Sequence, residues 1–126
     1  MAYNHRQQQW VSLKILTADA TPRSTEAQTL RTLQQHQTIH HAVRLLDSFV
    51  HAGPNGRHQC LVLELLGPSV ERFVKDNKDS GEQTDPNVIL KITKQLLEGL
   101  ASLHEAGYAH GSRHSTQALK FEVGFN

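Results

Sequence analysis

Apolar residues alternate at the start of the first apolar segment. Val11, Leu13 and Ile15 fall on one face of an extended chain, whereas Ser12, Lys14 and Leu16 fall on the other. A period of two is typical of a β-strand, so residues 10–16 are predicted to form one. Because three branched side chains share one face, we expect Lys14 to point away from the main apolar side.

A helical period follows the strand. Thr21 is a plausible N-cap and Pro22 suits the first helical position, and Ala27, Leu30 and Leu33 recur at helical spacing. Residues 21–37 are therefore predicted to form a helix with Glu26 near its beginning. Glu26 has an ordinary explanation, since the helix dipole favours an acidic residue in the first turn without any partner.

Two further strands are predicted as a hairpin. The apolar segments 42–50 and 57–66 flank the sequence HAGPNG, and its Pro-Asn-Gly core favours a tight turn. The amphipathic segment 70–79 then predicts a short helix, and residues 81–86 a polar connection.

The strongest local pattern predicts a long helix over about residues 85–106. Asp85 caps it, Pro86 opens it and Gly107 provides a left-handed stop. The predicted core face consists of Ile89, Ile92, Leu96, Leu100 and Leu103. A second stripe of Leu90, Leu97 and Ala101 predicts neighbours on two sides, and we expect this stripe to be uncovered if the chain stops at residue 126.

Composition narrows the class of protein. The 126 residues suffice for one ordinary domain, and 13 Lys and Arg against 12 Asp and Glu give a net charge of +1. This balance offers no electrostatic reason to expect a nucleic acid or a membrane as partner. Cys60 is the single cysteine, so no internal disulfide is possible, and an intracellular location in the cytoplasm or nucleus is expected.

The order of these elements resembles the first half of a protein kinase. VSLKIL resembles the third strand of a kinase small lobe, and STEAQTL resembles the start of the helix called αC. The segments VRLLDSFVHAGPNGRHQCLVLELLGPSVERFV and QLLEGLASLHEAGYAHG are similar to the fungal branch of the SR-protein kinases. These enzymes use ATP and magnesium to phosphorylate serine in proteins rich in arginine and serine. The resemblance covers about residues 10 to 121.

The resemblance implies roles for particular residues. Lys14 would hold the α- and β-phosphates of ATP, with Glu26 as its ion-pair partner. Glu64 and Leu66 would lie in the hinge, where backbone groups bind adenine. The strand taken alone favours an ordinary strand-edge lysine whose charged group lies in water, and only the collinear motifs favour the phosphate-holding position.

The resemblance also implies a fold and its division. We expect an α+β chain: an incomplete antiparallel small-lobe sheet of about three strands with αC, followed by the first helices of the large lobe. Residues 1–9 are expected to be disordered, residues 10–66 to form the partial small lobe, and residues 67–126 to begin the large lobe with αD, αE and a degenerate catalytic loop.

The last part of the chain departs from the kinase pattern. In HGSRHSTQALKF, Ser112 stands at the position of the catalytic aspartate and Gln117 at that of the metal-binding asparagine. A serine hydroxyl carries no negative charge, and the longer glutamine side chain displaces its oxygen from the position that magnesium needs. No glycine-rich loop precedes Trp10 and no Asp-Phe-Gly motif follows. An inactive kinase fragment is therefore expected.

Three interpretations of this departure stay open. The sequence after Gly111 is a remnant or gene-model artefact, the chain is a pseudokinase-type module that binds a protein partner through its long helix, or it is an active kinase with rearranged chemistry. The nine histidines, among them His110 with His114 and the pair His40 and His41, lack the cysteines or carboxylates of a zinc signature, so no metal site is predicted from them.

Overall fold

The structure, a computed structural model, describes residues 1–37 and 39–108. It has an α+β fold, as expected from the sequence. The strands are β1 (Ala2–Asn4), β2 (Gln9–Ile15), β3 (Leu45–Gly53) and β4 (Gly56–Glu64), and the helices are α1 (Glu26–Gln35), α2 (Val70–Asp79) and α3 (Pro86–Glu105). A short 3₁₀ turn, Thr21–Arg23, precedes α1.

The chain forms two compact units. The first contains Met1–Gln37 and Val43–Leu65, and therefore holds the whole sheet and α1. The second contains, among the described residues, two separate stretches of the chain, 39–42 and 66–108. It holds α2 and α3.

The sheet has four antiparallel strands in the order β1-β2-β4-β3. The predicted hairpin of β3 and β4 is confirmed, with Gly53 paired to Gly56 across Pro54 and Asn55. The core between the sheet and α1 consists of Ala27, Leu30, Leu45 and Leu61, with Leu16 and Leu63 packed against it. Leu61 is completely inaccessible to solvent.

Residues 1–9 are not disordered, contrary to the prediction, because β1 pairs with β2. Tyr3 lies opposite Trp10, and their rings meet edge to face at 5.2 Å. The Asn4 side chain forms the turn by accepting hydrogen bonds from the backbone N–H groups of Arg6 and Gln7. A cross-strand aromatic pair and an asparagine turn thus give this polar segment a defined structure, and the sheet has four strands rather than three.

The helix predicted over residues 21–37 begins later than expected. The chain forms the 3₁₀ turn at Thr21–Arg23, becomes extended at Ser24, and enters α1 only at Glu26. Pro22 does open a helical turn, but the Thr21 hydroxyl binds Thr17 and Gln59 and holds this turn against the sheet. The predicted buried positions Ala27, Leu30 and Leu33 are confirmed.

Both helices of the second unit begin as their sequences predict. The Ser69 hydroxyl accepts a hydrogen bond from the Arg72 N–H at the start of α2, and the Asp85 carboxylate accepts one from the Asn87 N–H at the start of α3. Gly107 ends the α3 segment with a φ of +81°. Within residues 1–37 and 39–108, none of the helices combines the length and the hydrophobicity that a bilayer-spanning helix requires.

The buried face of α3 differs from the predicted one. Of the predicted core positions, Ile92 and Leu103 are buried, but Leu96 and Leu100 are only half-buried and Ile89 is 46% exposed. The other buried positions carry Gln95, Gly99 and Ser102. A helix with leucines on most of its circumference does not reveal which side is covered, and here small and polar residues occupy part of that side. Leu90 and Leu97 are 66% and 62% exposed.

Replacing Gly56 by alanine is expected to destabilise the first unit by roughly 1–3 kcal/mol. Gly56 has a φ of +114°, which disfavours a side chain, and an added Cβ would lie 2.9 Å from the Ala18 Cβ. The midpoint of urea unfolding measures the effect.

Gly53→Ala is the matched control in the same hairpin. The added Cβ would meet only the His51 side chain at 3.7 Å, an ordinary contact, and Gly53 has no positive φ. Equal unfolding midpoints for the two variants would contradict the role assigned to Gly56.

Candidate functional site

Lys14 projects from the side of the sheet that carries α1. It lies directly opposite Leu61 in the antiparallel pairing of β2 with β4, and such partners point to the same face. Leu61 belongs to the core under α1, and Leu16, two residues beyond Lys14, packs against the same core. The expectation that Lys14 points away from the main apolar side is therefore wrong.

The reason is that β2 carries apolar residues on both faces. Ile15, predicted on the core side, is 60% exposed, whereas Val11 on that same face is buried. The alternation within one strand defines two faces but does not show which of them receives the helix. That choice depends on pairing with β4.

Lys14 forms an ion pair with Glu26, the first residue of α1. Its Nζ lies 2.8 Å from Oε1 and 3.1 Å from Oε2 of Glu26, so one ammonium group donates to both carboxylate oxygens. The two side chains are 41% and 37% exposed. A pair this accessible to water contributes only about 0–1 kcal/mol to stability, so its main effect is to fix the position of the ammonium group.

The ammonium group retains capacity for a further ligand. Lysine has three N–H donors, and the Glu26 carboxylate receives two hydrogen bonds from it. Among the described residues the third donor has no protein acceptor, and 41% of the side chain is open to solvent. The arrangement can hold an anionic group beside the carboxylate.

Helix α1 is attached to β3 by polar contacts that the sequence did not reveal. The Arg31 guanidinium donates a hydrogen bond to the Ser48 hydroxyl, and the Gln34 side chain donates one to the backbone oxygen of Leu45 at 3.1 Å. These contacts complement the buried Ala27, Leu30 and Leu33 of the same helix. They join residues 11 and 17 positions apart, so no local motif marks them.

Glu64 lies at the end of β4 and is engaged within the first unit. Its backbone N–H donates to the Arg44 carbonyl at 3.0 Å, and its carboxylate accepts from the Arg44 N–H at 2.8 Å. This reciprocal pair fixes the chain before β3. Leu66, the other predicted hinge residue, belongs to the second unit and is 37% exposed.

The structure thus brings Lys14 and Glu26 into contact and places Glu64 in the same unit. Ser112 and Gln117, the predicted replacements of the catalytic aspartate and the metal-binding asparagine, lie outside the described residues, as do His110 and His114.

One histidine has a defined ionic neighbour in the second unit. The Nε2 atom of His41 lies 3.5 Å from the Glu98 carboxylate of α3, and the Lys94 ammonium lies 3.8 Å from the same carboxylate. His41 also has a φ of +59°, an uncommon backbone conformation for a residue other than glycine. This contact connects the segment after α1 to α3 within that unit.

Comparison with known proteins identifies the relatives of the chain, although no family model matches it. Protein kinase dsk1 of Schizosaccharomyces pombe is 33% identical over 118 residues, which cover 87% of this chain and 21% of that protein. Serine/threonine-protein kinase SRPK of Physarum polycephalum is 35% identical over 100 residues, covering 75% of this chain and 23% of that protein.

A third relative agrees with the first two. The probable serine/threonine-protein kinase sky1 of Dictyostelium discoideum is 36% identical over 99 residues, covering 75% of this chain and 15% of that protein. The chain therefore spans about a fifth of the length of these relatives. Several such kinases match most of its residues, and its α+β fold with an antiparallel sheet agrees with a kinase small lobe. The chain is a relative of the protein kinases, and several of the relatives that it matches are SR-protein-kinase-like.

Proposed function

We propose that the Lys14–Glu26 pair is the phosphate-holding part of a kinase-type ATP site. The observation that carries this proposal is the contact of one ammonium group with both Glu26 oxygens, at 2.8 and 3.1 Å. A positively charged group held in place, with one donor to spare, suits the α- and β-phosphates of a nucleotide. Bound ATP with magnesium would supply the phosphoryl group, and Glu64 and Leu66 are the proposed backbone contacts of the base.

The proposal extends to the reaction class. The names of the relatives support an origin among serine/threonine protein kinases. From the family resemblance we propose serine in Arg/Ser-rich proteins as the family substrate and the cytoplasm or nucleus as the location. In this chain, however, Ser112 would have to accept the substrate hydroxyl proton, and serine is a poor base at neutral pH. Gln117 would be a displaced magnesium ligand. The proposed function is therefore nucleotide binding without efficient phosphate transfer.

Nucleotide binding is tested by thermal unfolding of the full chain. ATP with magnesium, at about ten times its Kd, should raise the Tm by roughly 3–6 °C. Lys14→Ala should abolish most of this increase, because it removes the ammonium group that holds the phosphates.

Lys94→Ala is the matched control for nucleotide binding. It makes the same chemical change at an exposed lysine of α3, and it should leave the nucleotide-induced increase intact. Equal increases in the wild type and in Lys14→Ala would refute the phosphate-holding role.

Phosphate transfer is tested separately with radiolabelled ATP and an arginine/serine-rich peptide. The wild-type chain should incorporate no more phosphate than Lys14→Ala, since loss of a general base alone reduces rates by about 10²- to 10⁴-fold. Incorporation by the wild type that Lys14→Ala removes would show that the chain is an active kinase.

A second candidate function is protein binding through α3. Leu90 and Leu97, seven residues apart on one face of this helix, are 66% and 62% exposed, and Ala101 extends the same stripe. An apolar stripe of this kind suits a partner protein. The alternative function is thus a pseudokinase-type module that binds a protein, in the simplest case an intact kinase of the same family, and regulates it.

This alternative predicts that the chain binds an intact SR-protein-kinase-like kinase and that Leu97→Glu weakens binding about tenfold or more. Val74→Glu on α2 is the control, because it adds the same charge at a residue that is 43% exposed on another helix. Titration calorimetry distinguishes the two variants. An equal effect of both substitutions, or no binding by the wild type, would reject the α3 surface.

A further inference from the structure

We infer that Thr21 is a positioning residue that sets the Lys14–Glu26 pair. Its hydroxyl donates a hydrogen bond to the Thr17 carbonyl at 2.9 Å and accepts one from the Gln59 N–H at 3.0 Å. Thr17 follows β2 and Gln59 lies within β4, so one side chain links the connection before α1 to the centre of the sheet. This inference rests on the proposed function, since the pair acts on a ligand only if Lys14 holds phosphate.

The hydroxyl of Thr21 continues the hydrogen bonding between β2 and β4 beyond the end of β2. The strand ends at Ile15, and the Leu16 N–H makes a further backbone bond to the Gln59 carbonyl at 2.9 Å. The Gln59 N–H points to the same side of β4 as the Gln59 carbonyl, and it donates a hydrogen bond to the Thr21 hydroxyl. Because an unpaired backbone N–H in a partly buried position is costly, this contact favours one location of Thr21.

A fixed Thr21 leaves little freedom for Glu26. The turn at Thr21–Arg23 is closed by bonds from the Thr21 N–H to the Thr17 carbonyl at 3.0 Å and from the Arg23 N–H to the Ala20 carbonyl at 3.1 Å. Only Ser24 and Thr25 then separate the turn from Glu26 at the start of α1. The position of the first residue of α1 is thereby fixed relative to β4.

The position of Lys14 is also fixed relative to β4. It lies opposite Leu61, two residues from Gln59. Both members of the ion pair are thus positioned from residues 59–61 of β4, Lys14 through the pairing of the strands and Glu26 through the Thr21 hydroxyl. Loss of that hydroxyl should leave Lys14 in place and free the helix start to move away from it.

The experiment measures how fast an amine-acylating reagent labels Lys14 in the full chain, by mass spectrometry, relative to Lys94 in the same sample. Acylation at Nζ must displace the Glu26 carboxylate, so Glu26→Gln should raise the ratio about two- to fivefold, the range expected for a part-exposed ion pair. Thr21→Val should raise the ratio similarly and should have no further effect in the Glu26→Gln background.

Three control variants separate positioning from general loss of stability. Thr21→Ser retains the hydroxyl and should restore the wild-type ratio. Thr17→Ala removes a hydroxyl that accepts a hydrogen bond from the Ala20 N–H within the turn. Val62→Ala removes buried volume from the sheet at a position other than Thr21 and its partners, and so lowers stability without removing the Thr21 hydroxyl. Both should leave the ratio unchanged.

The inference would be overturned if Val62→Ala raised the Lys14/Lys94 labelling ratio as much as Thr21→Val does. It would also be overturned if Thr21→Val raised the ratio further in the Glu26→Gln background. A wild-type ratio in Thr21→Val would overturn it as well. The labelling reports the ion pair and needs no nucleotide, so its failure is distinguishable from failure of the proposed ATP site.

Discussion

The antiparallel pairing of β2 with β4 is the constraint on which the rest of the first unit depends. It places Lys14 opposite Leu61, the most deeply buried side chain of the core. A lysine in that register must extend along apolar surface and find a partner at its charged end. Helix α1 covers the core with Ala27 and Leu30 and presents Glu26 at its first position, so hydrophobic packing and the ion pair require the same placement of the helix.

The ion pair itself contributes little to the stability of this arrangement. Both side chains remain more than one-third exposed, and water screens charges at such sites. The body of the helix is held by its buried apolar residues and by the Arg31 and Gln34 contacts with β3, whereas its start at Glu26 is the part that we assign to Thr21. The pair can therefore respond to an anion without loss of the fold, because the energy that holds α1 lies elsewhere.

Local patterns predicted most of the elements. The Pro-Asn-Gly turn located the β3–β4 hairpin, the amphipathic pattern of residues 70–79 located α2, and Asp85 and Pro86 located the start of α3. These signals act between residues that are neighbours in sequence, as do the periods of the buried residues in α1. The family resemblance predicted the contact between Lys14 and Glu26, which periodicity alone could not show.

The sequence predictions were wrong where contacts between residues distant in sequence determine the structure. The face of β2 that meets α1 depends on β4, and the late start of α1 depends on the bond between Thr21 and Gln59. The order of residues 1–9 depends on Tyr3 meeting Trp10 across a turn in a polar segment. In α3, leucines lie on most sides of the helix, so the sequence could not distinguish Ile89 and Leu97, which are exposed, from Ile92, which is buried.

The attachment of α1 to β3 has a consequence for association. β3 is an edge strand, and exposed edge strands invite the addition of a further strand from another chain. The Gln34 side chain donates a hydrogen bond to the Leu45 carbonyl, and the Asp47 carboxylate accepts one from the Ser48 N–H at 2.7 Å. The first half of this edge therefore has fewer backbone groups to offer to an incoming strand, and self-assembly through it is disfavoured. The half that contains the exposed Phe49 and Val50 lacks such side-chain bonds to its backbone in the described part of the chain, so aggregation of this protein should begin there.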